Sequence, residues 1–331
     1  MCTVMNFLGD EIVSMKKVLL TTLAASAAYL KYQSVRQKRS VQSLMVEQGL
    51  KSFLHGRDPR KALNFARFNH VNSGTYSIPN KVQKYLDFKW LDIEMQVLKR
   101  DSIVTPEKKV IFYLHGGSYW YQPFDLQYRF IARLADRVGA SVVMPIYPKA
   151  PAYDANDALS MVMKSYQELL AINGVEAENI ILFGDSAGGG LAVSLVEQLR
   201  NAQIDLPKQV ILLSPWLDVS LENSEIAKIA KKDPLLNLEE LRFEGEYYAG
   251  CESLKNPIVS PIYGDLADLP PITIFGGTND ILYPDMKLFT EKAKQNVRLI
   301  TYEGMFHVFP FFPLPESKRA YEQIVDIIVS L

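Results

Sequence analysis

Cysteine is nearly missing from this chain of 331 residues: Cys2 and Cys251 lie far apart and can build neither a disulfide framework nor a cysteine metal site. Charge of one sign is also missing, because 36 Lys and Arg stand against 37 Asp and Glu and no dense basic block interrupts the body of the chain. That excludes nucleic acid as its partner. Histidine is scarce: His55, His70, His115 and His307 are the whole supply of imidazole for general-base work. Long hydrophobic runs are lacking near the N-terminus, where the uncharged stretch 18–30 is thirteen residues, short of the roughly 20 that span a bilayer as a helix. No internal repeat or low-complexity tract stands out.

The length suits one large α/β domain, or such a domain with a lid, and 48% hydrophobic residues fill a sizeable core. Residues 1–61 carry ten Lys or Arg (16, 17, 31, 36, 38, 39, 51, 57, 60 and 61) against four Asp or Glu (10, 11, 47 and 58). A signal-like or membrane-associating segment over 1–40, drawn to anionic headgroups, is one reading; an ordinary helix packed on the domain is the other. Basic residues just beyond 30 speak against a secreted product and for a cytoplasmic or membrane-associated one. Apolar positions over 41–54 recur at helical spacing, so one face is expected to be buried. Asp58 and Pro59 then predict an N-cap and first turn for a second helix, and these N-terminal cap helices occupy 41–80.

Beyond them the pattern alternates. A strand over 90–99 reads as an edge strand, 110–114 and 140–147 as buried strands, and 179–183, 209–214, 271–277 and 297–302 as further strands, with helical patterns between them. This rhythm predicts a mostly parallel central sheet flanked by helices on both faces, with catalytic groups at the strand ends. It breaks over 216–263, which is read as a cap insertion dividing a catalytic domain of 81–215 and 264–331.

The chemistry centres on 179–190. Four apolar residues run into Gly184-Asp185-Ser186-Ala187-Gly188 and a helical pattern follows at once, the strand–turn–helix context of a nucleophile elbow with Ser186 at its tip. Serine needs a base, and a Ser…Asp…His order favours His307, after the last strand. Asp280 follows the preceding strand and is the first choice of orienting acid; Asp285, a helix-start residue, is the second. Asp185 is read as stabilising the elbow. His115-Gly116-Gly117 follows a buried strand, where a glycine turn can aim N–H groups into one small volume.

Together these residues resemble the hormone-sensitive-lipase-like esterase and lipase branch of the α/β-hydrolases. Ser214-Pro215-Trp216, Ser260-Pro261-Ile262-Tyr263 and Gly277-Thr278-Asn279-Asp280 extend the resemblance from about residue 110 to the C-terminus. It implies an α/β-hydrolase fold with a helical cap over the C-terminal strand edge. It also implies hydrolysis of small-molecule acyl esters, short- to medium-chain, with no cofactor and no metal. By position, Ser186 is the nucleophile, His307 the base and acid, and Asp280 the orienter. An oxyanion hole falls to the Gly116, Gly117, Ser118 and Ala187 stretch. Ser118 departs from the pattern, where a third glycine is usual, and so does 147–151. Tyr119, Trp120, Trp216 and Phe306 are expected around an acyl pocket. An amidase or peptidase of the same fold, or a non-catalytic ligand-binding relative, are the competing readings.

Overall fold

The computed structural model describes residues 25–54, 64–74, 76, 78–83, 88–90, 97–100, 109–172, 174–293 and 296–331, with the backbone alone at 82–83, 88–90 and 97–100. Its strands are β1 (Phe88–Trp90), β2 (Val97–Arg100), β3 (Val110–Leu114), β4 (Ser141–Pro145), β5 (Ile180–Asp185), β6 (Gln209–Leu213), β7 (Ile272–Gly277) and β8 (Val297–Tyr302). The helices used below are α1 (Val41–Leu54), α2 (Phe65–Asn72), α3 (Asp125–Val138), α4 (Ala155–Leu170), α5 (Ala187–Asn201), α6 (Leu238–Ala249), α7 (Tyr283–Ala293) and α8 (Pro315–Val329). A further helical stretch covers 25–36.

The strands form one sheet in the order β1-β2-β4-β3-β5-β6-β7-β8, with β3 to β8 parallel and β1 and β2 antiparallel. The single edge strand expected over 90–99 is two strands instead, with Trp90 opposite Leu98. Alternation of side chains across the pleat divides the core into two layers. Val110, Phe112 and Leu114 of β3 pack with α4, α5 and α7 through residues such as Val162, Leu195 and Phe289. Ile111 and Tyr113 pack with α3 and α8 through Leu134, Ile324 and Ile328. Every residue of β3 to β7 is buried, which is why these strands read as continuous apolar runs rather than alternating ones.

The chain leaves β3 towards β4 on one side and returns to β5 on the other, so a crevice opens beyond the carboxyl ends of β3 and β5. The elbow lies there. Helix α1 forms as expected, but its apolar residues do not share one face: Val46 and Leu50 pack on the α3/α8 layer while Met45 and Phe53 are exposed. Asp58 and Pro59 lie outside the described residues. Helix α2 is capped by Asn64, whose side chain accepts from Arg67 N, and Asn72 at its other end donates to the carbonyls of Trp120 and Ala150.

Candidate active site

Strand β5 delivers Ser186 in a backbone conformation with φ 51° and ψ −122°, in the left-handed half of φ space that a serine occupies only at a cost of order 1–3 kcal/mol. Main-chain hydrogen bonds hold it there. Ser186 N donates to Leu213 O, while Ser186 O accepts from Gly189 N and Trp216 N, all at 2.9 Å. The turn is tight enough that a Cβ on Gly188 would lie 2.0 Å from the carbonyl oxygen of Leu114, so the start of α5 can press on the end of β3 only with glycine at 188.

His307 follows β8, and its loop is laced to the loop after β7. Asn279 N donates to Met305 O at 2.8 Å, Gly304 N to Thr278 Oγ1 at 2.8 Å, and Val308 N to Ser214 Oγ at 3.0 Å. The result brings three distant side chains into line. His307 Nε2 is 2.9 Å from Ser186 Oγ, and His307 Nδ1 is 3.0 Å from Asp280 Oδ2. Asp280 is fully buried, and its other oxygen accepts Leu282 N at 2.9 Å. A carboxylate can only accept, so Nδ1 carries the imidazole proton and Nε2 faces the serine as the acceptor. Burial alone would pull the His307 pKa down, but the carboxylates of Asp280, Asp233 and Asp185 outweigh it and the net direction is up from 6.5. Asp285 is elsewhere. Its Oδ1 accepts from Asn223 Nδ2 at 2.7 Å, and burial pushes its pKa up to about 7 against that hydrogen bond.

The loop after β3 meets the elbow from the other side. Gly116 N donates to Asp185 Oδ1 at 3.0 Å, so its N–H is already used and Gly116 drops out of the expected oxyanion set. Asp185 is otherwise filled by Tyr113 Oη at 2.5 Å and Gln127 Nε2 at 2.8 Å, which suits a residue bracing the elbow. None of the backbone hydrogen bonds among the described residues uses the N–H of Gly117, Ser118 or Ala187. Gly117 has φ 125°, which an L side chain rarely adopts, whereas Ser118 has φ 52° in the left-handed helical region. Position 117 therefore demands glycine and position 118 does not, which explains how serine stands there. His115 donates from Nδ1 to Gly116 O at 2.7 Å and stacks on Tyr147, bracing the loop from below.

Above Ser186 lies a cavity of about 560 Å³. Its apolar wall includes Leu54, Tyr121, Leu235, Leu241 and Phe312, and its polar groups include Gln127, Asn237 and Glu244. The aromatic residues expected to line it do not. Tyr119, Trp120, Trp216 and Phe306 are buried in the core. Tyr119 stacks on Tyr248 at 3.5 Å, and the indole N–H groups of Trp120 and Trp216 are taken by Glu244 O and Asp218 O. Tyr119, Trp120 and Trp216 instead pack in the core layer of α4 and α5, and Phe306 in that of α3 and α8, while the rings that do line the cavity are Tyr121, Phe124, Phe311 and Phe312.

Two carboxyl groups of the insertion stand at the site without having been singled out in the sequence. Asp233 Oδ1 accepts Leu235 N at 2.9 Å and Leu236 N at 3.2 Å, and its Oδ2 accepts Ile281 N at 3.0 Å, one residue beyond Asp280. Burial first, then the Asp280 carboxylate, push its pKa up against the pull of His307. Glu244 is buried beside the cavity with its pKa raised well above 4.5, by burial first, while the Ser118 hydroxyl bonded to it pulls the other way. In the sequence Asp233 merely precedes Pro234, and Glu244 sits at an ordinary helical position.

Residues 111–311 match the family model of the alpha/beta hydrolase fold. The chain is 33% identical over 229 residues to an esterase of Acinetobacter venetianus, covering 67% of this chain and 75% of that one. It is 32% identical over 219 residues to an acetyl-hydrolase of Streptomyces hygroscopicus, covering 65% and 73%. Among solved structures, an esterase of the bacterial hormone-sensitive lipase family superposes with a TM-score of 0.74 at 25% identity, covering 88% of this chain and 98% of that one. Fold, family match and relatives agree: the chain belongs to the α/β-hydrolase family, on its hormone-sensitive-lipase-like branch, and is a serine hydrolase of carboxylic esters.

Proposed function

We propose that this esterase cleaves short- to medium-chain acyl esters through Ser186, His307 and Asp280, by way of an acyl-enzyme. As Ser186 Oγ attacks the ester carbonyl, its proton passes to His307 Nε2, while Asp280 holds the imidazole by Nδ1–H and stabilises the imidazolium. The oxyanion so formed is met by the N–H groups of Gly117, Ser118 and Ala187. Losing one such donor is expected to cost about 3 kcal/mol in the barrier. Collapse expels the alcohol, which takes the proton from His307. Water then enters, His307 takes its proton, and the second collapse frees the carboxylic acid and restores Ser186.

Residues 41–80 and the insertion 216–263 act as a cap on the domain of 81–215 and 264–331. Support comes from both parts: Leu54 of α1 and the 234–244 segment line the cavity, and Phe65 of α2 meets Tyr247 of α6 at 5.3 Å. A cavity of about 560 Å³ with a largely apolar wall suits an acyl chain of modest length.

The observation that carries the proposal is the unbroken Ser186–His307–Asp280 hydrogen-bonded line at the floor of that cavity. An acyl series of nitrophenyl esters, assayed beside the matching anilides, tests it. Turnover should peak at short to medium chains and fall by about 10⁶ in kcat for Ser186→Ala. Anilides cleaved far better than esters, or a Ser186→Ala variant retaining turnover, would overturn it.

A further inference from the structure

The helical stretch 25–36 lies with its sides reversed from those of a globular surface helix. Leu30, Gln33, Ser34 and Gln37 are partly buried on one side. The opposite side carries Tyr29, Tyr32 and Val35, which stand 62%, 61% and 68% exposed, with Ala25 and Ala28 between them. Lys31, Arg36 and Lys38 are exposed around this apolar side. No acidic residue occurs between Glu11 and Glu47, whereas Lys and Arg occupy positions 16, 17, 31, 36, 38 and 39.

The stretch is not a loose appendage. At its end Ser34 Oγ donates to Arg39 O, and Arg39 is buried, reaching Gly304 O and Glu47. Ser40 binds the Glu316 carboxylate through both its N–H and its hydroxyl, at 2.5 and 2.8 Å. Gly304 belongs to the loop that carries His307, so the exposed side is joined to the same end of the sheet as the active site. Among the described residues no helix is long and apolar enough to cross a membrane.

We propose that the Tyr29–Tyr32–Val35 face docks the protein on an anionic lipid surface, with the tyrosines and valine entering the headgroup region and Lys31, Arg36 and Lys38 meeting the lipid charge. Tyrosine is suited to that depth because its ring is apolar and its hydroxyl stays wet. A second protein or a second copy of this chain would account for the apolar residues but not for an acid-free segment of 35 positions flanked by Glu11 and Glu47. Anionic headgroups account for both.

Co-sedimentation of the full chain with phosphatidylcholine vesicles, with and without phosphatidylglycerol, tests this. The protein should pellet with the anionic vesicles and be released by salt. Tyr29→Ser/Tyr32→Ser/Val35→Ser should weaken that binding at least about tenfold, and Lys31→Glu/Arg36→Glu/Lys38→Glu by roughly a hundredfold. Both variants should hydrolyse a soluble nitrophenyl ester as the parent does, which separates lost docking from lost folding and leaves the catalytic reading untouched. The proposal fails if the parent stays in the supernatant, or if the face variant pellets undiminished, which would put binding elsewhere in the chain. It also fails if sedimentation velocity shows a dimer that the face variant dissolves, since a second copy would then cover the face.

Discussion

The floor and the roof of the cavity are built by different means. Below, Ser186, Asp280 and His307 sit on loops whose backbones are tied to the sheet and to each other, as in the bonds from Ser186 N to Leu213 O and from Asn279 N to Met305 O. Above, the roof is held by side chains: the Asp233 carboxylate, the Phe65–Tyr247 ring contact and the Ser118–Glu244 pair. Main-chain bonds in register with a parallel sheet leave a strand-end residue little room to move. Side-chain ties can be removed one at a time, so changes in the roof should alter access and charge at the site more than the chemistry itself.

The sharpest way to test the floor is to exchange two acids that follow the same strand. Asp280→Asn should lower kcat by about 10⁴, because an amide no longer selects the Nδ1–H tautomer of His307. Asp285→Asn, whose partner is Asn223, should leave kcat/KM within about tenfold, measured on the same nitrophenyl ester. Equal losses would erase the distinction between them.

Asp233 joins floor and roof, and its charge reaches His307. The imidazole must be unprotonated to accept the serine proton, and its pKa is raised, so activity should be lost as pH falls through a value above 6.5. Asp233→Asn removes one of the carboxylates that raise it. The acid limb of kcat/KM should therefore move to lower pH, with a modest loss of kcat. A residue that merely held the turn at Leu235 and Leu236 would lower activity and leave the limb where it was.

The smallest effect is expected at Glu244. Burial raises its pKa and so favours the neutral carboxyl that an amide imitates, and Glu244→Gln should change kcat/KM by less than about threefold. Glu244→Ala deprives the Ser118 hydroxyl of its partner and should cost about 1 kcal/mol, roughly fivefold, in the same assay. A large loss in the glutamine variant would mean that the carboxylate form is needed.

What was legible beforehand depended on how local the signal is. Strand β5 and the glycines after it advertise a turn within a dozen residues, and Ser186 follows. The order of serine, acid and histidine along the chain, with strand ends as landmarks, pointed to Asp280 and His307. The pocket did not follow by the same route, because an aromatic residue in a loop expected to surround the serine can face the core, as Tyr119, Trp120, Trp216 and Phe306 do. Gly116 was misjudged for a related reason: its N–H is claimed by Asp185, a partner 69 positions away. At the front of the sheet, alternation across 90–99 hid the two short strands, since one long strand and two paired antiparallel ones share the same period.

By itself, the amino-acid sequence determined the strand–helix alternation, the elbow and the residues whose chemistry could serve it, because hydrophobic period, glycine and side-chain type act over short spans. Only the tertiary structure decided which N–H groups remain unclaimed, which carboxylate meets the histidine, and which side chains line the cavity. Those outcomes depend on hydrogen bonds and packing between segments 27 to 124 residues apart, where each buried polar group takes the partner that the folded backbone brings within reach.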